Sequence, residues 1–404
     1  MITTAVPTNY NRGVKHLERA DYKKALTFFK REAVSFKELH LNIGSCYSYL
    51  QNDTKALQHY ILAADDRVRF ANGTVGTYPE ALNNIGIIYY SREQDVLAIE
   101  HYNRALASNE YYHDARWHRS LSMLRMLVSG VDMNRTLAFV DYDFRFYLKS
   151  RAVEVTETLP RWDGVTTGDS IVVLAEQGIG DTFQWCRYVT NLSHYFKKVW
   201  VQMPTSMHCL YRNIFNVVDS VSKTDATVSV ALCSLTRYFS IDSAIHNYLE
   251  TPVPHDFQFA GLKIGIVSSG SSSHNNDARR SCGIHQFLKL IGPGRQLYNL
   301  QPNSRDVKGI INLNPSTWTE TASYLAGLDL VISVDTSVVH LAGTLDVPCW
   351  VLMPSMDADW RWGDSTCGKS NVWYPSVTVF RNKNSWDGVF RKVKECLSDF
   401  NCKS

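Results

Sequence analysis

The chain carries nine cysteines among its 404 residues but no Cys-x-x-Cys pair. A zinc cage needs that spacing, and an odd total argues against a complete disulfide framework, so the thiols fit a reducing compartment. A charge excess is also missing: 42 Lys and Arg against 39 Asp and Glu leave +3. That balance does not point to nucleic acid by itself, although it leaves room for a local basic groove. No apolar run nears the roughly 20 residues that span a bilayer, and no leader-like apolar stretch opens the sequence. These absences lead us to expect a soluble, cytoplasmic protein with no membrane partner. What is present is a folded chain: 45% apolar and 20% charged residues, enough for two or three cores.

The first 150 residues repeat one pattern. Ile43-Gly44-x-x-Tyr47 is followed by Ala56, Tyr60 and Ala63, and Ile85-Gly86-x-x-Tyr89 by Ala98, Tyr102 and Ala105 at the same offsets. A weaker copy has Gly13, Ala25 and Phe29. Small residues at Gly44/Ala56 and Gly86/Ala98 let paired helices approach closely, and Tyr60 and Tyr102 are expected to fill the space between pairs. The offsets resemble the tetratricopeptide repeat. The spacing is irregular, 31 residues from Gly13 to Gly44 and 42 from Gly44 to Gly86, with the excess around the loop-like stretch 71–79. Residues 113–150 are expected to cap the array as further helices. Such arrays offer a concave face to a peptide or protein, and a spacer or homodimerisation role fits equally well.

From residue 151 onward the pattern changes to strands alternating with helices, which implies parallel sheets. Ser170–Ala175 reads as a strand leading into Glu176-Gln-Gly-Ile-Gly-Asp181 and then a helix from about 182 to 195; 199–203 and 228–232 read as further strands. Gly178 and Gly180 are expected to let the chain turn sharply and a ligand approach the backbone. Asp181 then stands at a helix start, where it is either a chemical group or a plain cap. Thr251-Pro-Val-Pro254 marks a boundary. Beyond it, 262–268 reads as a strand running into a polar loop from Ser269 to Ser281 that contains Gly270, Ser271 and Arg280, a composition suited to gripping a diphosphate. Further strands are read at 309–312, 330–334 and 348–353. Leu330 to Val334 is an apolar run that suits a strand buried on both faces, and it feeds Asp335, Thr336, Ser337 and a helix that begins at once. A strand end meeting a helix N-terminus directs N–H groups and partial positive charge to one point, where a phosphate can bind. Trp360, Trp362 and Trp373 fall in loops and are expected to wall a ligand. Residues 385–397 form a last amphipathic helix.

These motifs agree in order and spacing with a known group. Glu176-Gln177-Gly178-Ile-Gly180-Asp181 with Gln184 and Arg187-Tyr188; Gly270 to Ser281 with His274, Asn276, Asp277 and Arg280; Asp335-Thr336-x4-His340-Leu-Ala-Gly343; and Trp360-Arg-Trp362 and Trp373-Tyr-Pro-Ser376 together resemble the tetratricopeptide-repeat glycosyltransferases related to the ADP-heptose:lipopolysaccharide heptosyltransferases, which have the GT-B fold. Tyr142-x-x-Arg145 and Pro160-x-Trp162-x-Gly164 match the bridge between repeats and lobes in such proteins. The resemblance implies helical repeats (1–150), an acceptor-side Rossmann-like lobe (151–250), a donor-side lobe (251–385) and a C-terminal helix (386–404) crossing back to the first lobe. It places a catalytic base on Asp181 and donor phosphate contacts on Gly270, Ser271, Arg280, Asp335, Thr336, Ser337 and His340. Gln177, Gly178, Gly180, Gln184, Trp360 and Trp362 would line the cleft. Ser268 stands where relatives often carry tryptophan, and 290–303 sits where they run shorter.

The expected activity is inverting sugar transfer from a nucleotide-diphosphate sugar to a hydroxyl of a macromolecule. Such transfer needs a base and positive potential for the leaving diphosphate, the first from Asp181, the second from Arg280, His340 and the helix N-terminus. No cofactor or metal is expected. The triplets Asp141/Asp143 and Asp357/Asp359 are read as chance rather than as ligands. The acceptor is open between protein, saccharide and, as in phage-infected bacteria, a hydroxymethylated pyrimidine in DNA, for which Lys197, Lys198, Arg212, Lys223 and Arg237 would give a modest basic face. The alternative is a non-catalytic repeat scaffold with a degenerate transferase module.

Overall fold

The structure is a computed structural model in which residues 8–148, 159–240, 248–271, 277–353, 358–363, 369–381 and 385–400 are described. His274, Asn276 and Asp357 lie outside them. The chain divides into two compact units, 1–127 with 131–152, and 128–130 with 153–404.

The first unit is all helical: α1 Thr8–Glu18, α2 Tyr22–Phe29, α3 Lys37–Tyr49, α4 Asp53–Ala64, α5 Pro79–Ser91, α6 Asp95–Ser108, α7 His113–Val128 and α8 Arg135–Tyr142. The repeated glycine does something more specific than bring helices close. A Cβ on Gly44 would lie 2.6 Å from the Tyr60 ring, and Gly13 and Gly86 face Phe29 and Tyr102 in the same way. Each aromatic ring therefore lies flat over the glycine of its own helix pair, rather than only between pairs. The Asp-x-Asp triplet here is spoken for: Asp141 accepts from Arg119 Nε at 2.8 Å and Asp143 from Arg145 at 2.7 Å.

The second unit holds two parallel-sheet lobes. The first lobe comprises β1 Gly168–Leu174, α9 Ile179–Trp185, β2 Phe196–Gln202, α10 His208–Tyr211, β3 Asn216–Val218, β4 Val228–Ala231 and α11 Leu235–Tyr238, with sheet order β3-β2-β1-β4. Helix α9 stops at Trp185, and 186–194 continues as 3-10 helix. The second lobe comprises β5 Leu262–Val267, α12 Asp277–Arg280, β6 Arg295–Asn299, β7 Ile310–Asn312, α13 Trp318–Gly327, β8 Leu330–Val334, α14 Ser337–Thr344, β9 Cys349–Met353, β10 Lys369–Ser370, β11 Val377–Arg381 and α15 Trp386–Ser398. Its order is β10-β11-β9-β8-β5-β6-β7, parallel except for β10. The architecture is thus helical repeats followed by two Rossmann-like lobes.

The stretch 290–303, for which no strand was expected, contains β6, which pairs with β5 on one side and β7 on the other. The last helix, expected to cross to the first lobe, packs on the second. Val389, Phe390, Val393 and Leu397 of α15 join the second-lobe core with Leu262, Ile264, Phe287 and Leu290, because its apolar stripe matches that sheet face.

Both sheets reverse direction next to their first strand. In the first lobe the chain winds outward through β2 and β3, then returns to place β4 on the other side of β1. In the second it winds through β6 and β7, then returns to β8. The crevices at the carboxyl ends of β1/β4 and β5/β8 are therefore topological switch points, where open α/β sheets bind ligands.

Candidate active site between the lobes

Gln177, Gly178 and Asp181 fall at the first crevice and Gly270, Arg280, Asp335, Thr336 and Ser337 at the second, while Gln184, His340, Trp360 and Trp362 are buried between the lobes; the crevices are joined by helix packing. Helix α9 starts where β1 ends, and α14 starts where β8 ends. A Cβ on Gly180 would come 2.8 Å from His340 Cδ2 and 3.5 Å from the Cα of Ser337. Further along, Thr344 Oγ1 donates to Phe183 O at 3.3 Å. The helices thus run alongside one another in the same direction, with their N-termini together. Gly180 is small to admit His340, not a ligand. The sharp turn expected at the glycines falls instead at Gln177, whose φ is +62°, while Gly178 is extended. A glutamine in the left-handed region carries strain of about 1 kcal/mol or more, and it does so on the exposed rim of the first crevice.

Asp181 occupies the third position of α9. Its Oδ2 accepts from Gly178 N at 2.9 Å, a one-way capping contact because Gly178 has no side chain to return it, so the plain reading as a cap is true of one oxygen. The other oxygen is paired with Arg361 of the second lobe. Burial pushes the Asp181 carboxyl above the usual range, with Arg361 opposing it. Arg361 also donates to both Asp359 oxygens at 3.0 Å. Burial works to raise Asp359, but the guanidinium and the Arg361 N–H hold it below its ordinary value. Glu176 turns away from this group, accepting from Cys233 N at 3.2 Å and so tying the β1 and β4 ends together.

At the second crevice, helix α14 has no side-chain cap. Thr336 Oγ1 is turned to Ser333 Oγ at 3.1 Å. Of the first-turn donors, Val339 N goes to the Thr336 carbonyl at 3.1 Å, and those of Ser337 and Val338 are left for something else. Asp335 at the strand end is raised to about 6 by burial and by Asp359, against Arg280, Trp362 and Arg361. Arg280 is 14% exposed and contacts Asp277 at 3.3 Å. It lies so close over Gly270 that a side chain there would collide with the guanidinium. Gly270 N donates to Ser281 Oγ at 3.1 Å, and Ser271 accepts from Arg280 through its carbonyl at 3.4 Å. Gly270 therefore seats the arginine instead of offering its own N–H to a phosphate.

His340 departs from expectation more sharply. It is buried, shares a hydrogen bond of 3.1 Å with Tyr374 Oη and packs at 5.4 Å on Trp362. Burial, with Arg361 and Arg187 nearby, pushes its pKa down to about 3. It is a neutral ring between the lobes and supplies no positive charge. Trp360 and Trp362 are 3% and 1% exposed; with Trp185 and Trp373 they form an interlobe layer, Trp185 lying 6.1 Å from Trp360 and 5.0 Å from Trp373. They close a core between the lobes. Gln184 is fully buried in this layer's helix, with neither amide atom hydrogen bonded.

Three residues were missed. Arg361 joins the crevices. Gln301 organises the loop after β5, accepting from Ser268 N at 2.8 Å and donating to Ser269 Oγ at 2.6 Å. Arg187 crosses the interface to the Trp373 carbonyl and the Tyr374 ring, 4.5 Å away. Arg187 and Arg361 had a signal, as members of the noted Arg187-Tyr188 and Trp360-Arg-Trp362 motifs, and Gln301 had none. Of the five residues expected to give a basic face, Lys197 pairs with Asp169, Lys198 with Asp225 and Lys223 with Asp219, at 2.7, 3.2 and 2.7 Å. Among the described residues no group of His, Cys, Asp and Glu has metal-holding geometry, and no helix is long and apolar enough to cross a membrane.

No family model matches the chain, and no curated protein does. Among solved structures, the iron-containing dodecameric glycosyltransferase TibC from enterotoxigenic E. coli is similar at 11% identity and a TM-score of 0.41, over 58% of this chain and 79% of that one. A second structure of TibC, described as a heptosyltransferase in complex with ADP-D-β-D-heptose, gives 10% and 0.40 over 57% and 73%. MamA is similar at 20% identity and a TM-score of 0.27, over 34% of this chain and 74% of that one. At that degree of similarity, the chemistry of this chain rests on its own residues.

Proposed function

We propose that the second unit is a glycosyltransferase moving a sugar, with inversion, from a nucleotide-diphosphate sugar to a hydroxyl of a macromolecular acceptor. The observation that carries this reading is the uncapped N-terminus of α14 at the β5/β8 switch point, set against the carboxylate of Asp181 from the facing lobe. Free N–H groups and the helix dipole suit the diphosphate, and Arg280 adds a full charge beside them. Asp181 suits the base. Each of its oxygens is engaged once, and a carboxylate oxygen has a second lone pair for an acceptor hydroxyl. That hydroxyl would give its proton to Asp181 as its oxygen bonds to the anomeric carbon. The bond to the diphosphate would break on the opposite side, its electron pair leaving with the diphosphate.

Since the N-terminus and the arginines supply the positive potential a divalent ion would bring, transfer should continue in excess EDTA. The acceptor stays open between protein, saccharide and DNA, with three of the five basic residues already facing aspartates. The scaffold alternative would leave the uncapped helix and the buried charge cluster without a use. The deciding experiment incubates the purified chain with a panel of nucleotide sugars and follows nucleoside diphosphate release. Asp181→Asn should bind nucleotide nearly as well as wild type but turn over roughly 10²–10⁴-fold more slowly. Calorimetry in which no nucleoside diphosphate binds would remove the transferase reading. Loss of turnover in EDTA with rescue by Mn²⁺ would remove the metal-free form of it.

A further inference from the structure

Arg361 is built to do more than hold two lobes together. It stands in the 3-10 turn Trp360–Trp362, its carbonyl accepting from Asn371 Nδ2 at 3.0 Å, and its guanidinium lies over the Trp360 ring at 4.9 Å and near Trp185 at 5.6 Å. Its own N–H donates to Asp359 at 2.9 Å. The backbone is thus fixed while the guanidinium serves two anions, Asp181 from the first lobe and Asp359 from the second. It also acts electrostatically on Asp335 and His340, which brackets the first turn of α14. Gly180, next to Asp181, is in near contact with Ser337 of that turn. A diphosphate seated on the α14 N-terminus would therefore lie beside the same guanidinium.

We propose that Arg361 is a positioning residue shared between the base and the leaving group: it holds Asp181 while the donor site is empty, and a bound diphosphate draws it over, so that the base is released only once the donor is in place. This rests on the transferase reading. The charges point this way. Facing Asp181 and the α14 turn are the carboxylates of Asp335 and Asp359 and the cations of Arg280, Arg361 and, through His340, Arg187, while Glu176, turned away to Cys233, adds its charge from farther off. A diphosphate adds negative charge to a set already crowded with carboxylates, and it outcompetes a single carboxylate for an arginine fork. Losing its cation while gaining an anionic neighbour drives Asp181 toward greater basicity, and both effects have the same sign. The consequence is ordered binding, donor before acceptor.

The test compares wild type, Arg361→Gln, Arg361→Lys and Asp359→Asn by calorimetry with ADP, GDP and UDP. Arg361→Gln should weaken the nucleoside diphosphate that wild type binds by about tenfold or more, the scale of a lost charged contact, and Arg361→Lys by less. Asp359→Asn should tighten it, because a competitor for the guanidinium is gone. A purely structural clamp makes the opposite forecast, that both partners lose affinity together, and that result would overturn the proposal even if Arg361→Gln folds poorly. In kinetics, the acid limb of turnover should sit higher in pH with donor saturating than with donor limiting in wild type, and Arg361→Gln should begin high and move less. An equal shift in both proteins would also overturn it. If wild type binds none of the nucleotides, the transferase reading itself falls and this one with it; if wild type binds and the two variants fail to separate in sign, only the shared-arginine inference falls.

Discussion

Asp335 closes a strand whose five residues are all buried, and its surroundings explain both its raised pKa and what it would do to a ligand. Burial and Asp359 disfavour its charge, so it titrates near 6 rather than in the usual carboxylate range. Above that pH the carboxylate repels a diphosphate at the α14 N-terminus; below it the neutral carboxyl can donate to one. Affinity for an intact nucleotide-diphosphate sugar, whose own diphosphate does not titrate in this range, should therefore fall as pH rises through about 6, with proton uptake on binding. Asp335→Asn should flatten that dependence. The groups facing Asp335 are Asp359, Arg280, Trp362 and Arg361, so calorimetry of wild type and variant from pH 5 to 8 isolates its contribution. Identical slopes would show that Asp335 is turned away from the donor. Arg361 and Gln301 make the complementary point about what a sequence reveals. Their partners lie 180 and 33 residues away, and no local pattern announces such a pairing.

Helices α9 and α14 are the elements on which the site depends, and their contact leaves little slack. A methyl group on Gly180 would have to displace His340, which Tyr374 and Trp362 hold from behind. Gly180→Ala gains up to about 1 kcal/mol in helix propensity, yet overpacking a rigid interface costs about 1–3 kcal/mol. The expected outcome is a lower unfolding midpoint in urea together with reduced turnover, since the two N-termini would be wedged apart. A stabilised and fully active variant would mean the helices separate freely. Most of the frame around this pair was legible. Strands β1, β5, β8 and β9 are buried on both sides for nearly all their length, and two-sided burial forces the apolar runs that reveal them. The glycine, alanine and tyrosine offsets revealed the repeats for a similar reason: a ring over a glycine admits few substitutes. Strand β6 was hidden because its polar residues are satisfied at a distance. Arg295 donates to the Leu397 carbonyl at 3.1 Å and Asn299 to Asn312 at 2.9 Å. The packing of the tryptophans of 360–373 was not legible, because loop position suggests a ligand wall and only the three-dimensional contact with Trp185 shows a closed interface.

At the scale of the whole molecule, a net charge of +3 gives little overall field to draw in a polyanion, so the charges that matter here are the few enclosed between the lobes. That interface also carries a pH sensitivity that can be read as stability. His340 is held neutral, with its pKa lowered from 6.5 to about 3. The unfolded chain binds a proton at this residue near pH 6.5, and the folded one does so only near 3. Between those values the unfolded state holds more protons, so this contribution to stability is fully present above about 6.5 and is lost as pH falls toward 3. Asp335 acts with the opposite sign between its ordinary value and about 6, but it does so equally in any His340 variant. His340→Gln should be less stable than wild type at pH 7, through lost packing on Trp362 and the Tyr374 hydrogen bond, and should lose less on acidification. Urea unfolding followed by tryptophan emission suits this comparison, because Trp362 packs on His340 and Trp185, Trp360 and Trp373 are buried in the same interlobe layer. The two stability curves should converge between pH 7 and 4.5. Curves that stay parallel would mean that His340 is protonated in the folded protein. It would then face a counter-charge, and its assignment as a neutral spacer against Gly180 would give way to the cationic role first expected of it.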